Sequence, residues 1–138
     1  MAERGRYRTK QQELILNCLK QQEFRFLTIE QFMDCLRREE ICVGQTTVYR
    51  ALERLAEDGE VMKLASDDGS GSRYCYGDKT QLERTGKLVC LECGRFIPLE
   101  CSRIDAFLEH IYEDHGFEPD RKHLILYGCC ADCKANKE

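Results

Sequence analysis

Gln45-Thr46-Thr47-Val48-Tyr49-Arg50-Ala51-Leu52-Glu53-Arg54-Leu55 is the stretch on which the reading of the fold turns. Val48, Leu52 and Leu55 recur at the helical period, so one stripe faces a core while the rest of the helix faces water. Gly59 stands where a helix that starts near Gln45 ends on a glycine. On the outer side, Gln45, Thr46, Thr47, Tyr49, Arg50 and Glu53 offer hydroxyls, an aromatic ring and a guanidinium to a groove or to phosphates.

Two capping boxes precede this segment, Thr9 with Gln12 and Thr28 with Gln31, and each marks a helix start. The first helix is predicted over residues 10–21 with Leu14, Ile15, Cys18 and Leu19 as its apolar face. The second begins at Ile29 and buries Phe32, Met33 and Leu36, with Leu27 and Phe32 spaced as a hydrophobic staple. After the third helix, residues 61–64 and 72–76 read as strands around Ser66-Asp67-Asp68-Gly69-Ser70-Gly71. Three helices and a hairpin make a winged helix, whose third helix enters the major groove. The same pattern is compatible with a helical bundle whose polar face is merely wet.

The second half carries a different signal. Cys90-Leu91-Glu92-Cys93 and Cys130-Ala131-Asp132-Cys133 are two Cys-x-x-Cys pairs with 36 residues between them. A two-residue gap lets both sulfurs of a tight turn reach one ion at about 2.3 Å, and two turns complete a tetrahedral zinc site with no position for substrate. Such a zinc, one per subunit, holds structure. A redox-active pair and plain core thiols are the competing readings, since the chain has 10 cysteines in 138 residues. No apolar signal core opens the sequence, and no run approaches the ~18 apolar residues of a membrane span. A cytoplasmic location with reduced thiols and no membrane partner is the expectation, and there paired cysteines bind metal more often than they oxidise.

Around the first cysteine pair, residues 88–90 and 95–99 look like strands. Ile104, Phe107, Leu108 and Ile111 mark an amphipathic helix ending near His115-Gly116, and residues 123–127 form a last strand. Such a unit of about fifty residues is small to stand alone. The continuous apolar run of its last strand suits a sheet covered on both faces in a dimer interface. A twofold dimer would present two recognition helices to a palindromic DNA site. Length and composition allow one domain of average size or two small ones sharing the chain, and a hydrophobic content of 42% excludes disorder as the main state. The net charge of −4 excludes a wholly basic coat, but Arg4, Arg6, Arg8 and Lys10 face only Glu3 and form a local basic arm.

The fold class is therefore α+β: a winged helix-turn-helix domain over residues 1–77, a hinge over 78–86, and a small zinc-stapled α/β dimerisation domain over 87–138. A thiol enzyme would need a cysteine with a partnered base, and no Cys/His pairing supports one, so the chain is read as a non-enzyme. A zinc-stapled protein-interaction module that never touches DNA is a further alternative.

The run Thr46-Thr47-Val48-Tyr49-Arg50-Ala51-Leu52 with Leu55 and Gly59, the stretch Leu88-Val89-Cys90-Leu91-Glu92-Cys93-Gly94-Arg95, and His115-Gly116-Phe117 through Tyr127-Gly128-Cys129-Cys130-Ala131-Asp132-Cys133 resemble the ferric uptake regulator family of bacterial transcription factors. The resemblance implies a homodimeric repressor with a structural zinc on Cys90, Cys93, Cys130 and Cys133. It also implies that Tyr49 and Arg50 contact DNA and that Arg8 or a neighbour reaches an adjacent groove.

The chain departs from that family where the family senses metal. Arg84, Thr85, Gly86 and Lys87 stand where a His-rich run is usual, Phe26 near the histidine ahead of helix two, Cys75 at the wing acid, Pro98 at the acid after the first pair and Lys122 at the late histidine. Only Asp105 keeps a ligand type. The usual regulatory metal site is thus expected to be absent or rebuilt. Three readings follow: a regulator with structural zinc alone, a sensor rebuilt from Cys75, Cys101, His110, His115 or His123, or a thiol redox sensor using Cys129 or Cys101.

Overall fold

The computed structural model describes residues 9–65 and 71–136, and the chain divides into two compact units with the boundary between Gly77 and Asp78. Among the described residues no helix is long and apolar enough to cross a membrane.

In the first unit both capping boxes form. Thr9 and Gln12 start α1, Lys10–Lys20, and Thr28 and Gln31 start α2, Ile29–Arg38, each threonine oxygen accepting from the N3 amide while the glutamine reaches back. Helix α3 spans Gln45–Glu57, and Gly59 follows its cap with φ 82°, a conformation that glycine adopts without strain. The sheet of this unit has three strands. A two-residue strand β1, Leu27–Thr28, precedes α2, and the hairpin after α3 supplies β2, Val61–Leu64, and β3, Arg73–Tyr76. Strands β2 and β3 pair antiparallel with Val61 opposite Tyr76, and β1 adds to the other edge of β3, giving the order β1-β3-β2. This sheet rules out the purely helical bundle. Ile15, Leu19, Phe32, Leu36, Val48, Leu52 and Tyr74 close one core, each side chain contributing about 1.5–3 kcal/mol of burial.

One expectation for α1 fails. Leu14 is 45% exposed, and Leu16 takes the inward position beside Ile15, Cys18 and Leu19. Met33 is only partly buried at the edge of the core. Arg73 is buried and donates from Nη1 to the Phe26 carbonyl at 3.1 Å and to Gln31 Oε1 at 3.2 Å, which ties the wing to the start of α2.

The second unit starts with α4, Lys79–Arg84, capped by Asp78 and burying Leu82, so the segment expected as a hinge contains a helix. Strand β4, Gly86–Cys90, pairs antiparallel with β5, Phe96–Leu99, and parallel with β6, Ile125–Gly128. The crossover from β5 to β6 is α5, Ser102–His115, followed by a 3-10 turn at Arg121–His123. Gly116 ends α5 in the left-handed region at φ 64°, the usual glycine stop. A short helix α6, Ala131–Asn136, carries Cys133, an element that the sequence pattern does not announce. The last strand begins two residues later than expected, because residues 121–123 wind into the 3-10 turn. Leu126 and Tyr127 are 51% and 45% exposed in the single chain, so the expected two-sided cover is absent from one copy.

Candidate metal centre and nucleic-acid surface

Strand β4 delivers Cys90 at its end, and the turn that follows is closed by the Gly94 amide on the Cys90 carbonyl at 2.8 Å and the Cys90 amide on the Arg95 carbonyl at 3.0 Å. Gly94 adopts φ 79°, which lets the turn reverse tightly enough to bring Cys93 back beside Cys90. The second pair arrives from the far side of the sheet. β6 runs parallel to β4, the Leu91 amide holds the Gly128 carbonyl at 2.7 Å, and α6 begins straight after Cys130.

The Sγ atoms of Cys90, Cys93, Cys130 and Cys133 all lie within 4.8 Å of one another, the one such gathering of three or more metal donors among the described residues. Four sulfurs at zinc–sulfur distances of about 2.3 Å stand about 3.8 Å apart on a tetrahedron. Cys93 Sγ and Cys130 Sγ are 3.9 Å apart, so the residues fit the ion. Burial pushes the Cys90 thiol up, but amides of Cys130, Cys93 and Glu92 outweigh it and hold it at about 6; the Cys130 amide donates to Cys90 Sγ at 3.3 Å. The Cys133 amide lowers Cys130, whereas Cys133 itself is raised by the neighbouring Cys130 sulfur. Sulfurs that share protons this way exchange them for a cation at near-neutral pH.

On the first unit, α3 opens at Gly44 with no side-chain cap and no acidic residue in its first turn. Its early turns expose Gln45, Thr46, Tyr49 and Arg50, with Thr47 half-buried and Tyr49 47% exposed. A helix start free of acid beside an exposed ring and guanidinium suits phosphate and base edges. Glu53, read from the sequence as part of that outward set, is turned to the wing: its Oε2 lies 2.7 Å from Lys63 Nζ and accepts from the Tyr74 hydroxyl at 2.5 Å. Arg8 and the rest of the basic arm up to that residue lie outside the described residues, as do residues 66–70 of the wing.

The family model described as "Ferric uptake regulator family" matches residues 3–127. The chain belongs to the ferric uptake regulator family. It is 30% identical over 130 residues to the ferric uptake regulation protein of Campylobacter jejuni, covering 94% of this chain and 80% of that one. It is 32% identical over 111 residues to the zinc uptake regulation protein of Mycobacterium tuberculosis, covering 80% and 82%. The solved structure of the ferric uptake regulator of Francisella tularensis with iron superposes with a TM-score of 0.64 over 97% of this chain and 98% of that one; at 22% identity it speaks to the fold.

The sensor candidates of this ferric uptake regulator family member fall in both units. Cys75 belongs to the first unit, fully buried, and burial pushes its thiol up to about 12, which leaves it an inert core thiol. Asp105 on α5 is taken by Arg121, Nη2 to Oδ1 at 2.7 Å. His110 Nδ1 pairs with Asp114 at 2.9 Å, with the His115 ring edge-on at 5.1 Å, and His123 Nδ1 pairs with Asp120 at 2.8 Å. Cys101 sits exposed at the start of α5, and Cys129 is exposed beside Cys130 of the four-cysteine cluster. Among the described residues of the second unit, the four cysteines form the one group of three or more metal donors.

Lys87 is the residue whose role the sequence hid. It is 2% exposed, and its Nζ donates to the Thr85 carbonyl at 3.2 Å and the Lys122 carbonyl at 3.4 Å. Desolvation pushes its pKa below the ordinary lysine value. Gly86 permits this approach, because a Cβ there would stand 2.9 Å from the Leu124 carbonyl oxygen. An ammonium paired with carbonyl oxygens on a strand has no local sequence signature.

Proposed function

We propose that the chain is a DNA-binding transcription regulator, a repressor, which binds a palindromic operator as a homodimer and works without the usual regulatory metal. Gln45, Thr46, Thr47, Tyr49 and Arg50 meet the DNA, with Arg8 in the adjacent groove. Residues 1–77 form the DNA-binding domain, 78–86 the linking segment and 87–138 the dimerisation domain. One zinc per subunit on Cys90, Cys93, Cys130 and Cys133 fixes the second unit. Support for the dimer comes from the apolar surface that Phe107, Tyr112 and Leu126 leave open in the single chain, each more than half exposed, since a soluble protein covers such surface with a partner.

The observation that carries metal independence is the buried Lys87 ammonium between the Thr85 and Lys122 carbonyls. A cation already occupies oxygens at that end of the sheet, and Arg121 neutralises Asp105, the remaining carboxylate of ligand type. A divalent ion arriving there would meet the buried Lys87 ammonium and a carboxylate already paired with the exposed Arg121 guanidinium. Relatives named for iron and for zinc are about equally similar, so kinship does not select a metal.

The test is a gel shift of the zinc-loaded protein on DNA from its own promoter, with a mild chelator, then with iron(II), manganese(II) or zinc(II), then with peroxide. Binding indifferent to all three treatments is expected. Binding that appears with one metal alone overturns metal independence, and binding abolished by peroxide favours thiol sensing by Cys129 or Cys101. Replacing Tyr49 and Arg50 together by Ala is expected to weaken operator binding by about 30-fold or more, at about 1–3 kcal/mol for each of the two lost contacts, with dimer and zinc intact. Loss of the dimer instead would mean that α3 packs between subunits.

A further inference from the structure

The Glu53 carboxylate lies one turn beyond Tyr49 and Arg50 on α3, yet its partners are on the wing. Lys63 Nζ on β2 stands 2.7 Å from Oε2, and the Tyr74 hydroxyl on β3 donates to the same oxygen at 2.5 Å. Tyr74 is 1% exposed, so its hydroxyl has little access to water and fixes the carboxylate in one place. Lys63 Nζ also lies 6.0 Å from the centre of the Tyr74 ring, within reach of a cation–π contact. The Lys63 and Glu53 side chains keep 37% and 27% exposure, so the pair borders the surface that carries Tyr49. Hydrogen bonds from Lys63 and then Tyr74 hold the Glu53 carboxyl below its ordinary range, so it is ionised at neutral pH.

We propose that Glu53 is a specificity-determining residue that sequesters Lys63, so that a wing cation beside the recognition helix does not add sequence-independent affinity for phosphate. The proposal rests on the DNA-binding reading above. An unpaired lysine there would meet phosphate on any duplex and release a counterion, raising non-specific and operator binding alike. Holding it on Glu53 removes that uniform contribution and leaves discrimination to α3. Moving Lys63 to a phosphate would also leave the Glu53 anion beside the DNA backbone, which disfavours the exchange.

The test uses the full zinc-loaded protein and fluorescence anisotropy over a salt series, on a promoter duplex and on a scrambled one. Glu53→Gln keeps an acceptor for the Tyr74 hydroxyl and removes the charge that holds Lys63. Its slope of log affinity against log salt on the scrambled duplex is expected to steepen by about 1.8, one added phosphate contact from each subunit of the dimer, and the promoter-to-scrambled ratio to fall. Lys63→Met in the wild-type background should leave the slope unchanged, and the double variant should return to the wild-type slope. An unchanged slope in folded Glu53→Gln overturns the proposal. So does a shallower slope in Lys63→Met, which would place Lys63 on phosphate already and decides the matter even if Glu53→Gln fails to fold. A wild-type protein with no salt-dependent binding to either duplex sinks the DNA-binding reading and this proposal with it, a result distinct from the other two.

Discussion

Where the first unit buries Ile15, Leu19, Phe32, Val48 and Leu52 at 1% exposure or less, the fourteen-residue α5 of the second unit buries none of its side chains. Ile104, Leu108 and Ile111 are half-covered and Phe107 is open, although the helix has an apolar stripe of ordinary spacing. The second unit's fully enclosed positions lie mostly on β4 and just before it, and they include Thr85 and Lys87 alongside Val89 and Cys90. A core of that composition stabilises little by apolar transfer. Two different sources of stability follow. The first unit is held by packed side chains, whereas the second has a small core and, on the reading proposed above, draws on four thiolates around an ion and on a partner that covers α5 and β6.

Cys93→Ser tests that difference most severely. A structural zinc contributes about 10–16 kcal/mol of apparent binding free energy, which in a small unit is folding free energy. The variant is expected to carry no zinc by metal analysis and to lose amide protection across the β4–β6 pairing, while α1 to α3 stay protected in hydrogen exchange. Protection retained along β4 in a metal-free variant would show that the second unit has a sufficient core after all.

Leu52→Ala addresses the other side. Leu52 is fully buried on α3, and its truncation leaves a cavity that costs about 2–5 kcal/mol. For a domain of this size the melting temperature of the first unit should fall by about 10 °C or more, with zinc content unchanged. A smaller drop with a second-unit melt that moves in parallel would mean that the two units unfold as one.

Features set by neighbours a few residues apart were legible in the sequence, and features set by distant partners were not. Both capping boxes, the starts of α2 and α3 and the glycine ends of α3 and α5 depend on three- or four-residue spacings, and each lies where the pattern placed it. The cysteine pairs likewise announced the cluster, because the two-residue gap is itself the geometric requirement. Leu14 against Leu16 could not be decided from α1 alone: they stand about 100° to either side of Ile15 on the helix, and the neighbouring helices select between them. Strand β1 is two residues long and exists because β3 lies beside it. Arg73 bridging to Phe26 and Gln31, Lys87 bridging to Lys122, and Glu53 held by Lys63 and Tyr74 join segments far apart in the chain, which no periodicity encodes.

The smallest expected effect separates local from distant contributions inside the first unit itself. Thr9 and Thr28 build the same capping box, but Thr9 is exposed, while Thr28 is half-buried and its partner Gln31 also accepts from the buried Arg73 at 3.2 Å. Removing either cap by mutation to Ala costs about 0.5–2 kcal/mol of stability. Thr28→Ala should fall in the upper part of that range, because the Gln31 amide loses its acceptor at a half-buried position where water replaces it poorly, beside the oxygen that also accepts from Arg73. Thr9→Ala should fall in the lower part, since water replaces the lost acceptor. Urea titrations that follow the first unit would compare the two variants at equal slope. Equal costs would mean that the link between Gln31 and Arg73 adds nothing to the cap.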